Sequence, residues 1–114
     1  MIEQRIISYL NSNMSYPVYG ELPDDGKDSR FTVVTLRNQT CKNLISKATI
    51  VAYCYAESED AACNYANDVK DMMLTMNTLG DISSVKLGDL SRDNDMYEKK
   101  YRYAVTMNYW FYEE

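Results

Sequence analysis

The chain has 114 residues, a formal net charge of −5 and a pI near 4.7, so it is long enough to bury one hydrophobic core and is expected to form a single domain, 1–114. The acidic balance argues against direct nucleic-acid binding, which would require clustered lysine and arginine. Histidine is absent and the three cysteines, Cys41, Cys54 and Cys63, have no short paired spacing, so we expect neither a zinc site nor a disulfide, but reduced thiols in a cytoplasmic protein.

The first predicted element is a short helix that ends near Asn13. Apolar residues recur at helical spacing from Ile2 to Leu10, with polar residues between them. The first turns contain acidic and polar groups, and no window of the chain approaches eighteen apolar residues. We therefore expect that the protein is neither secreted nor membrane-spanning.

Two strands are predicted before the centre of the chain. Residues 16–23 contain two prolines, which fix extended geometry and exclude a central strand position, so a short edge strand is expected there. Residues 24–30 are polar throughout and form the first predicted loop. Residues 31–37 are β-branched and aromatic, which predicts a strand. Residues 38–45 are interpreted as a hairpin-like connection.

A strand that passes directly into a long helix is predicted for the middle of the chain. Residues 47–56 alternate as a strand does, and Ser58 is a favourable N-cap because its hydroxyl can accept from free N–H groups of the first turn. The helix is predicted to end at Gly80 as a left-handed residue. The methionines from Met72 to Met76 fall on its apolar side. Core packing is the favoured interpretation of this stripe, and a cofactor or peptide groove is the alternative.

The last part of the chain predicts two more strands. Residues 82–87 form a short strand, residues 88–98 a second polar loop, and Tyr101–Tyr112 a long alternating strand. The order is therefore helix, three strands, helix and two strands. It predicts an α+β fold with a single, mostly antiparallel β-sheet and two helices packed on one face.

The second face of the predicted sheet carries tyrosines, including Tyr53 and Tyr55, and the chain has eleven tyrosines in total. Two interpretations stay open. The rings can pack within the molecule with their hydroxyl groups at the rim. Alternatively, they can form a subunit interface, where tyrosine is enriched.

Catalytic chemistry is not predicted. The cysteines have no imidazole partner, and the sequence has no glycine-rich phosphate loop. The loop carboxylates lack the spacing of a calcium loop, and we interpret them as solvated charge. We expect no enzyme activity, no cofactor and no metal.

Five segments of the sequence, taken in order, resemble the small tail terminator, or tail completion, proteins of long-tailed bacteriophages. The segments are MIEQRI (1–6), YPVYGELP (16–23), RFTVV (30–34), ATIVAYCYAES (48–58) and YRYAV (101–105). The resemblance rests on their order and spacing, and it covers nearly the whole chain.

The resemblance implies a non-enzymatic virion protein of the tail or neck, assembled in the host cytoplasm. Such a subunit forms a homohexameric ring, ends polymerisation of the tail tube and provides the surface for the head connector. The implied partners are the tail-tube protein and the connector or stopper protein. Two alternatives remain: a head-side neck or stopper subunit, or a small ferredoxin-like module that binds a peptide or small ligand.

The two polar loops and the tyrosine-bearing face are the expected contact regions with subunits or partners. The residues selected are Asp24, Asp25, Lys27, Arg30, Tyr53, Tyr55, Arg92, Asp93, Asp95 and Glu98.

Overall fold

A computed structural model describes residues 2–21, 30–42, 44–93 and 101–112. The described residues form an α+β fold with a single sheet and two helices, as predicted. The elements are α1 (Ile2–Asn13), β1 (Val18–Tyr19), β2 (Phe31–Lys42), β3 (Ile45–Ala56), α2 (Glu59–Leu74), a 3-10 turn (Thr75–Thr78), β4 (Ile82–Arg92) and β5 (Tyr101–Tyr112).

The sheet has the strand order β1-β2-β3-β5-β4. Its four long strands are antiparallel to their neighbours, whereas β1 runs parallel to β2 and pairs with only two of its residues, Thr32 and Val33. Twelve residues at about 3.3 Å each span about 40 Å, close to the 44 Å longest dimension of the molecule. The long strands therefore run the full length of the protein.

Both helices cover the same face of the sheet and bury the main core against it. Helix α2 begins at the predicted cap, where Ser58 Oγ accepts a hydrogen bond from the Ala61 amide at 3.2 Å. Met73 and Met76 are fully buried in this core, which confirms the core interpretation for them. The residues that face the helices from β3 and β5 include Ala48, Ile50, Ala52, Cys54, Val105, Met107 and Tyr109.

The prediction of a connection over residues 38–45 was wrong. Strand β2 continues to Lys42 and pairs with β3 as far as Ile45, so the two strands form one long hairpin. Arg37 is the extra residue of a β-bulge between Leu36 and Asn38. The outer half of β2 is exposed and polar, so its sequence lacks the apolar alternation that predicts a strand.

Two further boundaries differ from prediction. Residues 88–92 belong to β4 and not to the second loop, with a bulge between Leu87 and Asp89. A Cβ atom at Gly88 would lie 3.2 Å from the Thr106 carbonyl oxygen, so the glycine permits the close approach of β5. Gly80 is not a left-handed helix terminus, because α2 ends at Leu74 and is followed by the 3-10 turn, and the φ of Gly80 is not in the left-handed region.

The three cysteines are free thiols, as predicted. Cys41 is exposed on β2, Cys54 is buried on β3, and Cys63 is half-buried on α2. Burial raises the pKa of Cys54 to about 12.

Candidate interaction surface

The face of the sheet that the helices leave open carries an aromatic cluster at one end. Tyr53 and Tyr55 both lie on this face, as the alternation of β3 predicts. Tyr55 stacks on Phe31, with ring centroids 4.6 Å apart and an angle of 12° between the planes. The ring of Tyr19 also contacts Phe31, with centroids 6.2 Å apart and an angle of 59° between the planes. Phe31, Val33 and Tyr55 are buried, whereas Tyr53 is half-buried.

Arg102 on β5 joins this cluster to the end of β4. Its guanidinium donates to Tyr55 Oη at 2.8 Å and to the Asp93 carbonyl oxygen at 2.7 Å, and it lies 3.1 Å from the Asp93 carboxylate. The same group lies over the Tyr53 ring at 4.7 Å. Burial lowers the pKa of Arg102, but the Tyr55 hydrogen bond and the Asp93 charge outweigh it, and the pKa is raised. We call Tyr19, Phe31, Tyr53, Tyr55, Asp93 and Arg102 the loop-end cluster.

The loop-end cluster lies at the end of the sheet where β2 and β5 begin and β4 ends. Thr32, Cys54, Tyr103 and Arg92 form one row across β2, β3, β5 and β4. Arg30, which follows segment 22–29, and Asp93 and Tyr101, which flank segment 94–100, therefore lie at the same end of the sheet. Strand β1 runs parallel to β2, so the chain moves away from this end along β1 before segment 22–29.

Arg30, a predicted contact residue, forms an internal ion pair. Its Nε and Nη2 atoms donate to Glu57 at 2.9 and 2.5 Å, and its guanidinium lies over the Tyr16 ring at 5.4 Å. The hydrogen bond from Arg30 lowers the pKa of Glu57 to about 2. Behind this pair, Tyr16 contacts Tyr65 edge to face at 5.3 Å. Arg30 therefore links the start of β2 to Glu57, which lies just before α2.

The structure describes Arg92 and Asp93 among the other predicted contact residues. Arg92 pairs with Glu59 in the first turn of α2, with 2.6 Å between Nη1 and Oε1, so it lies towards the helices and away from Tyr53. Asp93 joins the loop-end cluster through Arg102. The remaining predicted residues, Asp24, Asp25, Lys27, Asp95 and Glu98, lie outside the described residues.

The sequence pattern does not identify Arg102, Phe31 or Tyr19 as contact residues, although the cluster depends on them. The alternation of β5 contained part of the signal, because it places Arg102 on the face opposite Val105. The pairing of Arg102 with Tyr55 across β3 and β5 depends on the register between residues 47 positions apart in sequence, which local periodicity does not reveal.

A basic patch occupies the opposite end of the open face. The ammonium groups of Lys47 and Lys86 lie 5.3 and 5.7 Å from the centroid of the Trp110 ring. Lys42, at the end of β2, shares this face by its pairing with Ile45. We call Lys42, Lys47, Lys86 and Trp110 the hairpin-end patch. Within the described part of the chain, none of its three lysines forms an ion pair.

The outer side of the helix layer has the opposite charge. Asp60, Asp68 and Asp71 are exposed on α2, and at 100° per residue they fall within about 80° of one another, so they form one stripe. Asp68 and Asp71 also line a cleft of about 400 Å³ between the end of α1 and α2, whose apolar lining includes Met14 and Met72. Lys70 lies 3.3 Å from Asp71. We call the three aspartates the acidic stripe.

The described residues contain no group of three or more histidine, cysteine, aspartate or glutamate side chains able to hold a metal ion. Among them, no helix is long and apolar enough to cross a membrane. No protein-family model matches the sequence, and no curated protein matches it significantly. The candidate interaction surfaces of the described residues are therefore an aromatic cluster, a basic patch and an acidic stripe.

Proposed function

We propose that this protein is a ring-forming subunit that closes a phage tail tube, ends its polymerisation and provides the surface for head attachment. The proposal combines the sequence resemblance to tail terminator proteins with the geometry of the loop-end cluster. The observation that carries it is that Arg30, Asp93 and Tyr101, which adjoin the two predicted contact loops, lie at one end of the sheet. A subunit that contacts a tube end needs its contact residues at one end of the molecule.

The loop-end cluster is tightly packed at this end of the sheet. Tyr55 and Phe31 are buried, and Arg102 connects Asp93 to both tyrosines of β3. Contact residues are commonly placed on loops that a rigid scaffold positions. Tyrosine and arginine are also enriched in interfaces. The cluster therefore supports tube or connector binding at this end.

The ferredoxin-like alternative has less support from the connectivity. Strands β2 and β3 precede α2, and β4 and β5 follow it, whereas a ferredoxin-like chain has the order βαββαβ. The cleft of about 400 Å³ beside α2 is the feature that would favour a ligand-binding module. It lies on the helix side, away from the tyrosine-bearing face.

The proposal is tested by replacing residues 94–98 with a Gly-Ser segment of the same length, which leaves β4 and β5 whole. We expect a small change in thermal stability, but overlong tails in particles assembled with this variant, measured by electron microscopy. The control replaces Gln4 and Ser8 by alanine, because both are exposed on α1. The control variant should produce tails of normal length.

Two outcomes would contradict the proposal. Tails of normal length that carry heads would show that this segment does not act in tail completion. Tails of normal length that fail to join heads would instead favour the head-side neck or stopper subunit.

A further inference from the structure

We infer that the hairpin-end patch of one copy of this protein binds the acidic stripe of a second copy, and that repetition of this contact builds the ring. The inference rests on the proposed function for its expectation of a ring. It adds which two surfaces meet, and it is tested on the purified protein without tail tubes.

Charge is separated between the two surfaces of this acidic chain. The strands β2 and β3 contain Arg37, Lys42 and Lys47 and no acidic residue, whereas α2 has four acidic residues and one lysine. Within the described residues, Asp60 and Asp68 form no ion pair, as is also true of the patch lysines. Each surface thus has uncompensated charge that the other can neutralise.

Both surfaces also contain apolar or aromatic side chains. Trp110 stands between Lys47 and Lys86 on the open face, and Tyr112, on the same face of β5, is 54% exposed. The stripe borders the cleft lined by Met14 and Met72. An interface with an aromatic centre and a charged rim is the common arrangement of specific contacts.

The positions of the surfaces determine the type of assembly. The patch lies on the open face and the stripe lies on the outer side of the helices, so they are on opposite sides of the molecule. A contact between two different surfaces of identical copies is head-to-tail, and it forms a closed ring when the rotation between copies closes.

The experiment uses two charge-reversed variants of the full chain, K47E/K86E and D68K/D71K. Each variant alone should associate at least about 100-fold more weakly than the unchanged protein, because like charges then meet across the contact. In an equimolar mixture, the patch of each variant meets a stripe of opposite charge on the other. We therefore expect association to return in the mixture as alternating chains or rings with more than two copies.

Association is measured by sedimentation velocity and native mass spectrometry at low salt, with protein up to about 1 mM so that weak contacts are detected. Circular dichroism establishes that each variant is folded. If K47E/K86E fails to fold, K47Q/K86Q replaces it, and if D68K/D71K fails to fold, D68N/D71N replaces it. Q4E/S8E on α1 is the control for K47Q/K86Q, with the same change in net charge. The control should associate as the unchanged protein does.

Three results would overturn the inference: an unchanged protein that is monomeric throughout this range, reversed variants that associate normally, or a mixture that stays monomeric or stops at dimers. None of them alters the tail-length test of the proposed function. Conversely, restored assembly in the mixture would establish the contact even if the protein did not close tail tubes.

Discussion

Arg102 is expected to be the largest single polar contribution to stability on the open face. Replacing it by methionine keeps an unbranched apolar stem against the sheet but removes the guanidinium. Two hydrogen bonds are lost, to Tyr55 and to the Asp93 carbonyl oxygen, together with the contact over the Tyr53 ring. The Arg102 side chain is 25% exposed, so water competes for these contacts and their summed contribution to stability is reduced.

Hydrogen bonds to charged groups contribute roughly 1.5–3 kcal/mol each when buried, and an exposed cation–π contact about 0.5–1 kcal/mol. With that reduction, Arg102→Met should lower the free energy of unfolding by about 2–3 kcal/mol. For a chain of 114 residues, this corresponds to a fall in Tm of about 10 °C.

Urea unfolding followed by circular dichroism measures this change. Arg102→Lys is the matched control, because it keeps a positive charge near Tyr53 but lacks the planar fork that reaches both acceptors. We expect it to recover less than half of the loss. A double-mutant cycle with Tyr55→Phe should return a coupling of about 1 kcal/mol. If Arg102→Met stays within about 0.5 kcal/mol of the unchanged protein, the central role of Arg102 is wrong.

Three further predictions concern other parts of the fold. Glu57 has a pKa of about 2 beside Arg30, below its ordinary 4.5, so its contribution to stability is complete above about pH 5 and is lost as the pH falls to 2. The stability difference between the protein and Glu57→Gln should shrink over that range in acid-unfolding curves, and a constant difference would refute the assignment. Leu44 is 81% exposed and has a φ of 68°, a left-handed conformation that glycine adopts at lower cost. Leu44→Gly should therefore raise the free energy of unfolding by about 0.5–1 kcal/mol in urea melts. A loss of stability would refute strain at this position. Exposed Cys41 should react first with a neutral thiol reagent in the folded protein, and Cys54 only on unfolding. Peptide mapping by mass spectrometry shows which cysteine is modified first, and early modification of Cys54 would contradict its burial.

The elements that local sequence pattern predicts are those with one buried side and one solvent-facing side. Strand β5 alternates over its whole length, and α2 combines a serine cap with a helical stripe, so both were placed with correct starts. The outer half of β2 was missed because its residues are exposed and polar. Its strand conformation comes from pairing with β3, a tertiary effect that local pattern does not contain.

The candidate surface was predictable only in part. The face of Tyr53 and Tyr55 follows from the two-residue period of β3. Their contact with Arg102 follows from the register of two strands distant in sequence, and Arg30 was assigned to a partner although Glu57 already holds it. Loop charges identify polar segments, but whether a charge faces a partner or its own fold is decided by packing.

The strand order has a consequence for synthesis on the ribosome. Strand β5 is the last of the five in sequence, yet it lies between β3 and β4, and β4 has no other strand partner in the described sheet. A nascent chain that has emerged only through β4 therefore cannot build the central part of the sheet, and it exposes to solvent the part of α2 that packs on β5 and an unpaired edge of β3. Such intermediates aggregate readily and are typical chaperone clients. Completion of the fold should wait for release of the final strand.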